Sequence, residues 1–287
     1  MRKSLQAGAS LLIFAFILLF LLVYLPEIFA GRQILDPVAF SIYSFSVKWY
    51  GILIALGALV AYLFISDEAK RRGVDRNTVE SAVLVALIFG LIGARLGFVI
   101  QNVSYFLASP LEIFNTRLGG LSIHGALILG LVALYLYLKK SKKVQFGEII
   151  DLVSPAVLLA IAIGRWGNLF NYEIVGQPTD VLWKMFVPLQ YRVNDFSSSE
   201  FFHPVFLYES VLLAVLFIIY RLYLREKQIG FVYAFVAYCG VRIFVEFFRI
   251  DYRPIFVGLD LAQIVSFVII IAVLLINQKI RAKNGKS

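Results

Sequence analysis

The chain of 287 residues is 61% hydrophobic and only 16% charged, where a soluble domain is close to half apolar and a quarter charged, so a soluble globular fold is excluded. The excess lies in unbroken blocks of about the length a helix needs to cross roughly 30 Å of hydrocarbon, and their continuity excludes a β-barrel, whose strands alternate. A net charge of +9 raises nucleic acid as a partner, but the basic residues lie between the apolar blocks, where topology explains them, and no nucleic-acid partner is expected.

Eight candidate spans follow in chain order: 10–30, 47–65, 81–101, 121–138, 153–170, 205–224, 231–249 and 259–277. The first follows Arg2 and Lys3. Its apolar core exceeds the roughly 7–15 residues of a cleaved leader, and Pro26 and Glu27 interrupt the small-residue cleavage pattern. It is expected to be a retained helix. Lys and Arg stay on the cytoplasmic side of short connections. Alternate connections and the two ends hold seventeen of them, in groups such as Lys70, Arg71, Arg72 and Arg76. The opposite set holds seven (Arg32, Lys48, Arg117, Lys184, Arg192, Arg249 and Arg253), and Arg95, Arg165 and Arg242 fall inside spans. Both termini are therefore expected in the cytoplasm. The long outer connection, about 171–204, contains Pro178, Pro188 and Pro204 and is expected to make a small extracytoplasmic cap, with a short strand at Leu189 to Val193. The single cysteine, Cys239, rules out an internal disulfide and a cysteine-built metal site; in an apolar span it reads as a small buried thiol.

On this orientation the intramembrane polar groups share one side. Arg95 lies toward the outer end of the third span, and His124 opens the fourth. Arg165, Asn168 and Asn171 end the fifth, His203 and Glu209 begin the sixth, and Arg242 and Glu246 occupy the outer half of the seventh. A charge in hydrocarbon costs about 2.5 kcal/mol or more, so such groups point to function. Arg242 and Glu246 are spaced i,i+4 and can pair on one helix face, which Arg249 continues. Singly, each has a plain structural explanation: a packing salt bridge, a snorkelling arginine, a hydrogen-bonded core histidine. Their convergence weakens all three. Arginines with no compensating acid for each suit a phosphate, whose oxygens match the guanidinium fork, and phospholipid headgroups are the abundant phosphates at that face. His124 is the side chain suited to moving a proton near neutral pH. There is no serine nucleophile elbow, no histidine pair at metal spacing and no phosphate-binding loop; neither a metal nor a cofactor is expected. The residues read as a cavity for proton-assisted transfer on a phospholipid headgroup, with a phospholipid or anionic-solute transporter as the open alternative.

The run Gly164-Arg165-Trp166-Gly167-Asn168-Leu169-Phe170-Asn171-Tyr172-Glu173, followed by Gly176, resembles the signature of the prolipoprotein diacylglyceryl transferases. Trp49-Tyr50-Gly51, Gly93 to Gly97, Gly119 to Gly125, His203-Pro204 with Leu207-Tyr208-Glu209, and Arg242 with Glu246 to Arg249 support the likeness over about residues 34 to 277. Departures are Ala126, where a second glycine is common, and Val205, where a small hydroxyl residue is usual. The resemblance implies an all-α polytopic protein of the bacterial cytoplasmic (inner) membrane, with a seven-span core at 34–287 and an additional N-terminal transmembrane helix at 1–33. It implies transfer of the diacylglyceryl group of phosphatidylglycerol to the lipobox cysteine thiol of a preprolipoprotein signal peptide, forming a thioether. The expected partners are phosphatidylglycerol, that peptide and the bilayer. The expected catalytic groups are His124, Arg165, Arg242 and Glu246. Tyr50, Asn168, Asn171 and Arg95 join Arg165 and Arg242 in binding the lipid, Arg95 either as a third phosphate contact or as an anchor. Glu173, Gly176, His203, Glu209 and Arg249 are expected to support them.

Overall fold

The computed structural model describes residues 19–43, 45–115 and 120–284. Arg2, Lys3, Arg117, Gly119, Lys286 and the first part of the 10–30 span lie outside the described residues. The described chain is mainly helical. It runs through α1 (Phe20–Phe29), the strands β1 (Val38–Ile42) and β2 (Phe45–Lys48), then α2 (Trp49–Arg71), α3 (Arg76–Gln101), α4 (Val103–Ala108), α5 (Ile123–Ser141) and α6 (Phe146–Gly164). A short α7 (Gly167–Asn171), strands β3 (Met185–Phe186) and β4 (Phe201–Phe202), α8 (Val205–Ile219), α9 (Gly230–Glu246) and α10 (Leu261–Asn284) complete it. Among the described residues six helical stretches are long and apolar enough to cross a membrane. The helix α9 has 17 residues, the short end of what spans hydrocarbon, and is not among those six. The outward stripe Leu84, Leu87, Ile88, Leu91 and Ile92 on α3 is exposed. In water such a stripe would be an aggregation liability; against acyl chains it is the expected surface.

Two compact units can be distinguished, the first from Met1–Gly57, Leu158–Ile218 and Phe235–Ser287, the second from Ala58–Val157 and Ile219–Ala234. In the first, Ile28 and Phe29 of α1 are buried with Leu169, Tyr172, Val175, Met185, Val187, Phe202 and Phe206. Phe20 packs edge-on to Trp166 at 6.1 Å, so α1 leans directly on the signature segment. The chain then turns at Gly31, whose φ of +73° and contact with the Phe186 ring leave no room for a side chain. β1 and β2 form an antiparallel hairpin, Ser41 opposite Ser46, that the apolar-block reading passed over.

The cap region does not carry the strand expected at Leu189 to Val193. The strands are β3 and β4, paired antiparallel with Met185 opposite Phe202, and Leu189–Tyr191 is a 3-10 turn. Pro188 is the reason: it offers no N–H to a ladder, and its carbonyl instead accepts from Tyr191 N at 2.9 Å. Arg192 Nε then donates to Val187 O at 2.8 Å, closing the loop.

In the second unit, α3 and α5 cross at glycines. A Cβ on Gly93 would stand 2.3 Å from Gly125 O, and one on Gly125 2.2 Å from Gly93 O, the close backbone approach that small residues permit between membrane helices. Far along the chain from that crossing, Glu68, fully buried, takes Arg71, Arg72 and Arg225, and Arg72 also reaches Asp151 and the Tyr220 hydroxyl. Three guanidinium groups on one buried carboxylate satisfy the charge that burial would otherwise make costly.

Candidate active site

The first unit gathers most of the expected groups. α6 ends at Gly164, the chain kinks through Arg165 and Trp166, and α7 carries Asn168 and Asn171. Two glycines make that geometry possible. A Cβ on Gly164 would meet Ile54 at 2.9 Å, and one on Gly167 would stand 2.6 Å from the Tyr50 ring, so the exposed Tyr50 lies against the signature turn. Tyr172 closes α7 in the left-handed region, φ +52°. Its hydroxyl accepts from Leu35 N at 2.9 Å, and burial pushes its ionisation upward. Glu173 N donates back to Asn168 O at 3.0 Å, and Asn168 Nδ2 reaches the Glu173 carboxylate at 3.2 Å.

Arg165 Nη2 meets Glu209 Oε1 on α8 at 2.7 Å, and the Glu209 side chain is fully buried. Arg242 Nη2 meets Glu246 Oε2 at 2.7 Å, the i,i+4 pair expected on α9, while Arg249 Nε lies 3.3 Å from the other Glu246 oxygen. Arg249 also forks onto Asp251, at 2.8 and 2.7 Å, and these bonds hold the Asp251 carboxyl below its ordinary range. Tyr238, one turn before Arg242, interacts electrostatically with Glu209, Arg242 and Arg165, and Arg249 with Glu209. The two arginine–glutamate pairs therefore belong to one cluster. The expectation of arginines without an acid for each is corrected here, because both central arginines rest on a buried glutamate. Burial without such a partner would be prohibitive. Tyr238 was missed, although its i,i+4 spacing to Arg242 placed it on the same face.

Three buried polar atoms of this cluster have no hydrogen-bond partner among the described residues: Arg165 Nε, Asn168 Oδ1 and Glu209 Oε2. Each such atom is costly unless something meets it. Two of the three are acceptors and one is a guanidinium donor.

His203 and Gly176 clip the cap to the end of α9. Gly176 N donates to His203 O at 2.8 Å, Gln177 N donates to Phe248 O at 2.8 Å, and Gly176 bridges to Arg249. A Cβ on Gly176 would lie 2.4 Å from Phe248 O. The His203 ring packs edge-on to Phe248 and Tyr208, with Nδ1 at 2.9 Å from the Tyr208 hydroxyl. Trp183 Nε1 donates to that same oxygen at 2.8 Å. The hydroxyl proton is thus free for Nδ1, and burial holds the His203 ring toward its neutral form.

Arg95 and His124 belong to the second unit. Arg95 donates to the carbonyls of Ile113, Gly120, Glu112 and Asn115 at 2.5 to 3.0 Å, which ties the α3–α5 connection to α3. His124 stands in the first turn of α5, behind the Ser122 cap. Ser122 Oγ receives Gln101 Nε2 at 2.9 Å and Ser122 N donates to Ala94 O at 2.8 Å. The imidazole is exposed and has no hydrogen-bond partner among the described residues.

Comparison with known proteins gives one consistent result. The family profile described as prolipoprotein diacylglyceryl transferase matches residues 37–277. A Thermotoga petrophila protein named phosphatidylglycerol–prolipoprotein diacylglyceryl transferase is 36% identical over 277 residues, 93% of this chain and 91% of that protein. Proteins with the same name from Halalkalibacterium halodurans and Clostridium novyi are 36% and 37% identical, the latter across 87% of this chain and 98% of its own length.

Proposed function

The chain belongs to the prolipoprotein diacylglyceryl transferase family, and from that premise we propose that its Arg165–Arg242 cluster performs the transfer itself. The reading is a membrane transferase that moves the diacylglyceryl group of phosphatidylglycerol to the cysteine thiol of a lipobox signal peptide. The observation that carries it is the cluster's three unpartnered buried atoms beside two arginines. The transporter alternative is not favoured by relatives named as transferases.

In this reading Arg165 and Arg242 hold the phosphate, and their glutamates keep both guanidinium groups oriented. The thiol loses its proton, since the thiolate is the competent nucleophile. Sulfur attacks the diacylglycerol carbon that carries the phosphate, the C–O bond breaks, and its electron pair leaves with glycerol-1-phosphate. Charge grows on the departing phosphate, where fixed guanidinium groups in a water-poor site stabilise it most. His124 receives the thiol proton, with Glu246 the second candidate; the exposed, unpartnered imidazole supports the first choice. Asn168, Asn171 and Tyr50 contact the headgroup glycerol. Arg95, whose donors end on four carbonyls, serves as the anchor of its loop. Glu173, Gly176, His203, Glu209 and Arg249 hold these groups in place.

The proposed topology places this site on the extracytoplasmic side of the bacterial inner membrane and both termini in the cytoplasm. Residues 1–33 add a helix to the 34–287 core, and about 171–204 form the cap. Purified protein, phosphatidylglycerol with labelled acyl chains and a lipobox peptide test the reading directly. Labelled peptide is expected, with loss of product in Arg242→Ala; full activity in that variant would remove the clamp. An unchanged rate in His124→Gln would transfer the base role to Glu246.

A further inference from the structure

A polar pocket lies at the end of α5 remote from His124. Lys139 is fifteen residues beyond His124, about 22 Å along the helix axis, so a bilayer core of roughly 30 Å puts it near the opposite interface. There the chain leaves α5 through Lys142, in the left-handed region at φ +57°, and re-enters a helix at Phe146. The bend shapes an open surface pocket of about 490 Å³, lined by Lys139, Lys142, Lys143, Tyr135, Phe146 and Glu148. Tyr135 and Phe146 meet edge-to-face at 5.7 Å and give it an aromatic flank. Of its lysines only Lys143 has an ion pair among the described residues, with Asp75 at 3.7 Å. With Lys140 adjacent, four lysines face two carboxylates, Glu148 and Asp75. A basic run needed only for topology requires neither a concavity nor an aromatic flank.

We propose that this pocket binds the phosphate headgroup of an anionic phospholipid from the leaflet opposite His124. The ammonium groups of Lys139 and Lys142 take the phosphate, and an acyl chain passes down the Tyr135–Phe146 flank. Basic pockets between helix ends at a membrane surface suit such headgroups, each lysine contributing modestly. The pocket shares no residue with the arginine cluster, so the lipid held here is structural and is not consumed.

The test is native mass spectrometry of the full-length protein in detergent with dioleoyl phosphatidic acid or dioleoyl phosphatidylcholine. Wild-type protein is expected to retain one more phosphatidic acid than the Lys139→Gln/Lys142→Gln variant, whose affinity for that lipid falls about 30-fold. Phosphatidylcholine should show no such difference, and transfer activity should be unchanged, because both lysines are exposed and outside the catalytic machinery. Equal retention of phosphatidic acid by the two proteins would overturn the site. So would equal retention of phosphatidylcholine by the wild type, or displacement of the lipid by millimolar inorganic phosphate, which would mark a simple anion site.

Discussion

Arg165 sits on a buried carboxylate, so its removal has two consequences that must be separated. Its Nη2 lies 2.7 Å from Glu209 Oε1, with Glu209 fully buried and the Arg165 side chain 21% exposed. Two unit charges about 4 Å apart attract by ~4 kcal/mol at an effective dielectric near 20, and deleting one partner of a buried pair costs ~3–5 kcal/mol because the other is left uncovered. Arg165→Ala should therefore destabilise the protein by that order and also abolish transfer. Removing both charges in Arg165→Ala/Glu209→Ala should recover most of the stability, since replacing a buried pair by neutral groups is often close to neutral. It should not recover the reaction: loss of one donor to a developing anion costs ~10²–10³ in rate. The assay pairs thermal unfolding in detergent with transfer of labelled diacylglyceryl to a lipobox peptide. A double variant that is stable and transfers at the wild-type rate would show that Arg165 only neutralises Glu209, and the phosphate role would fall.

Three further outcomes follow from the geometry. Gly176→Ala places a methyl group 2.4 Å from Phe248 O and 2.7 Å from the His203 Cβ; such overpacking should cost ~1–3 kcal/mol, read as a lower unfolding temperature. Gly125→Ala drives a Cβ to 2.2 Å from Gly93 O, so α3 and α5 must separate, and transfer should fall with stability, whereas the open position Gly240→Ala should be silent. The third concerns pH. Burial lowers the His203 ionisation below its ordinary 6.5, so an opened cap binds a proton more readily than a closed one. The cap should hold fully above about pH 6.5 and loosen as pH falls from there through the lowered value. Limited proteolysis within 177–200 should accelerate over that range in the wild type and not in His203→Gln.

Much of this cluster is legible in the sequence, because hydrocarbon makes a charged residue conspicuous. Arg165, Arg242 and Glu246 announce themselves inside otherwise apolar runs, and i,i+4 spacing supplies the last pair. The partner of Arg165 was harder to read: Glu209 is 44 residues away on another helix, and no local spacing connects them. Tyr238 escaped because a tyrosine in an apolar span draws no notice until an arginine is placed four residues on. The β1–β2 hairpin was hidden by its position at the mouth of an apolar block, where alternation over a few residues is swamped by the longer run. In the cap, Leu189 to Val193 had strand-forming composition, but Pro188 diverted the backbone into a turn. The loop role of Arg95 depends on carbonyls of residues 112–120, which sequence pattern does not order in space.

The most direct test of the central claim is mass spectrometry of a lipobox peptide incubated with purified protein and phosphatidylglycerol. The account predicts a peptide heavier by one diacylglyceryl group on its cysteine, with glycerol-1-phosphate released in equal amount. Peptide that stays unmodified while phosphatidylglycerol merely crosses the bilayer would contradict it.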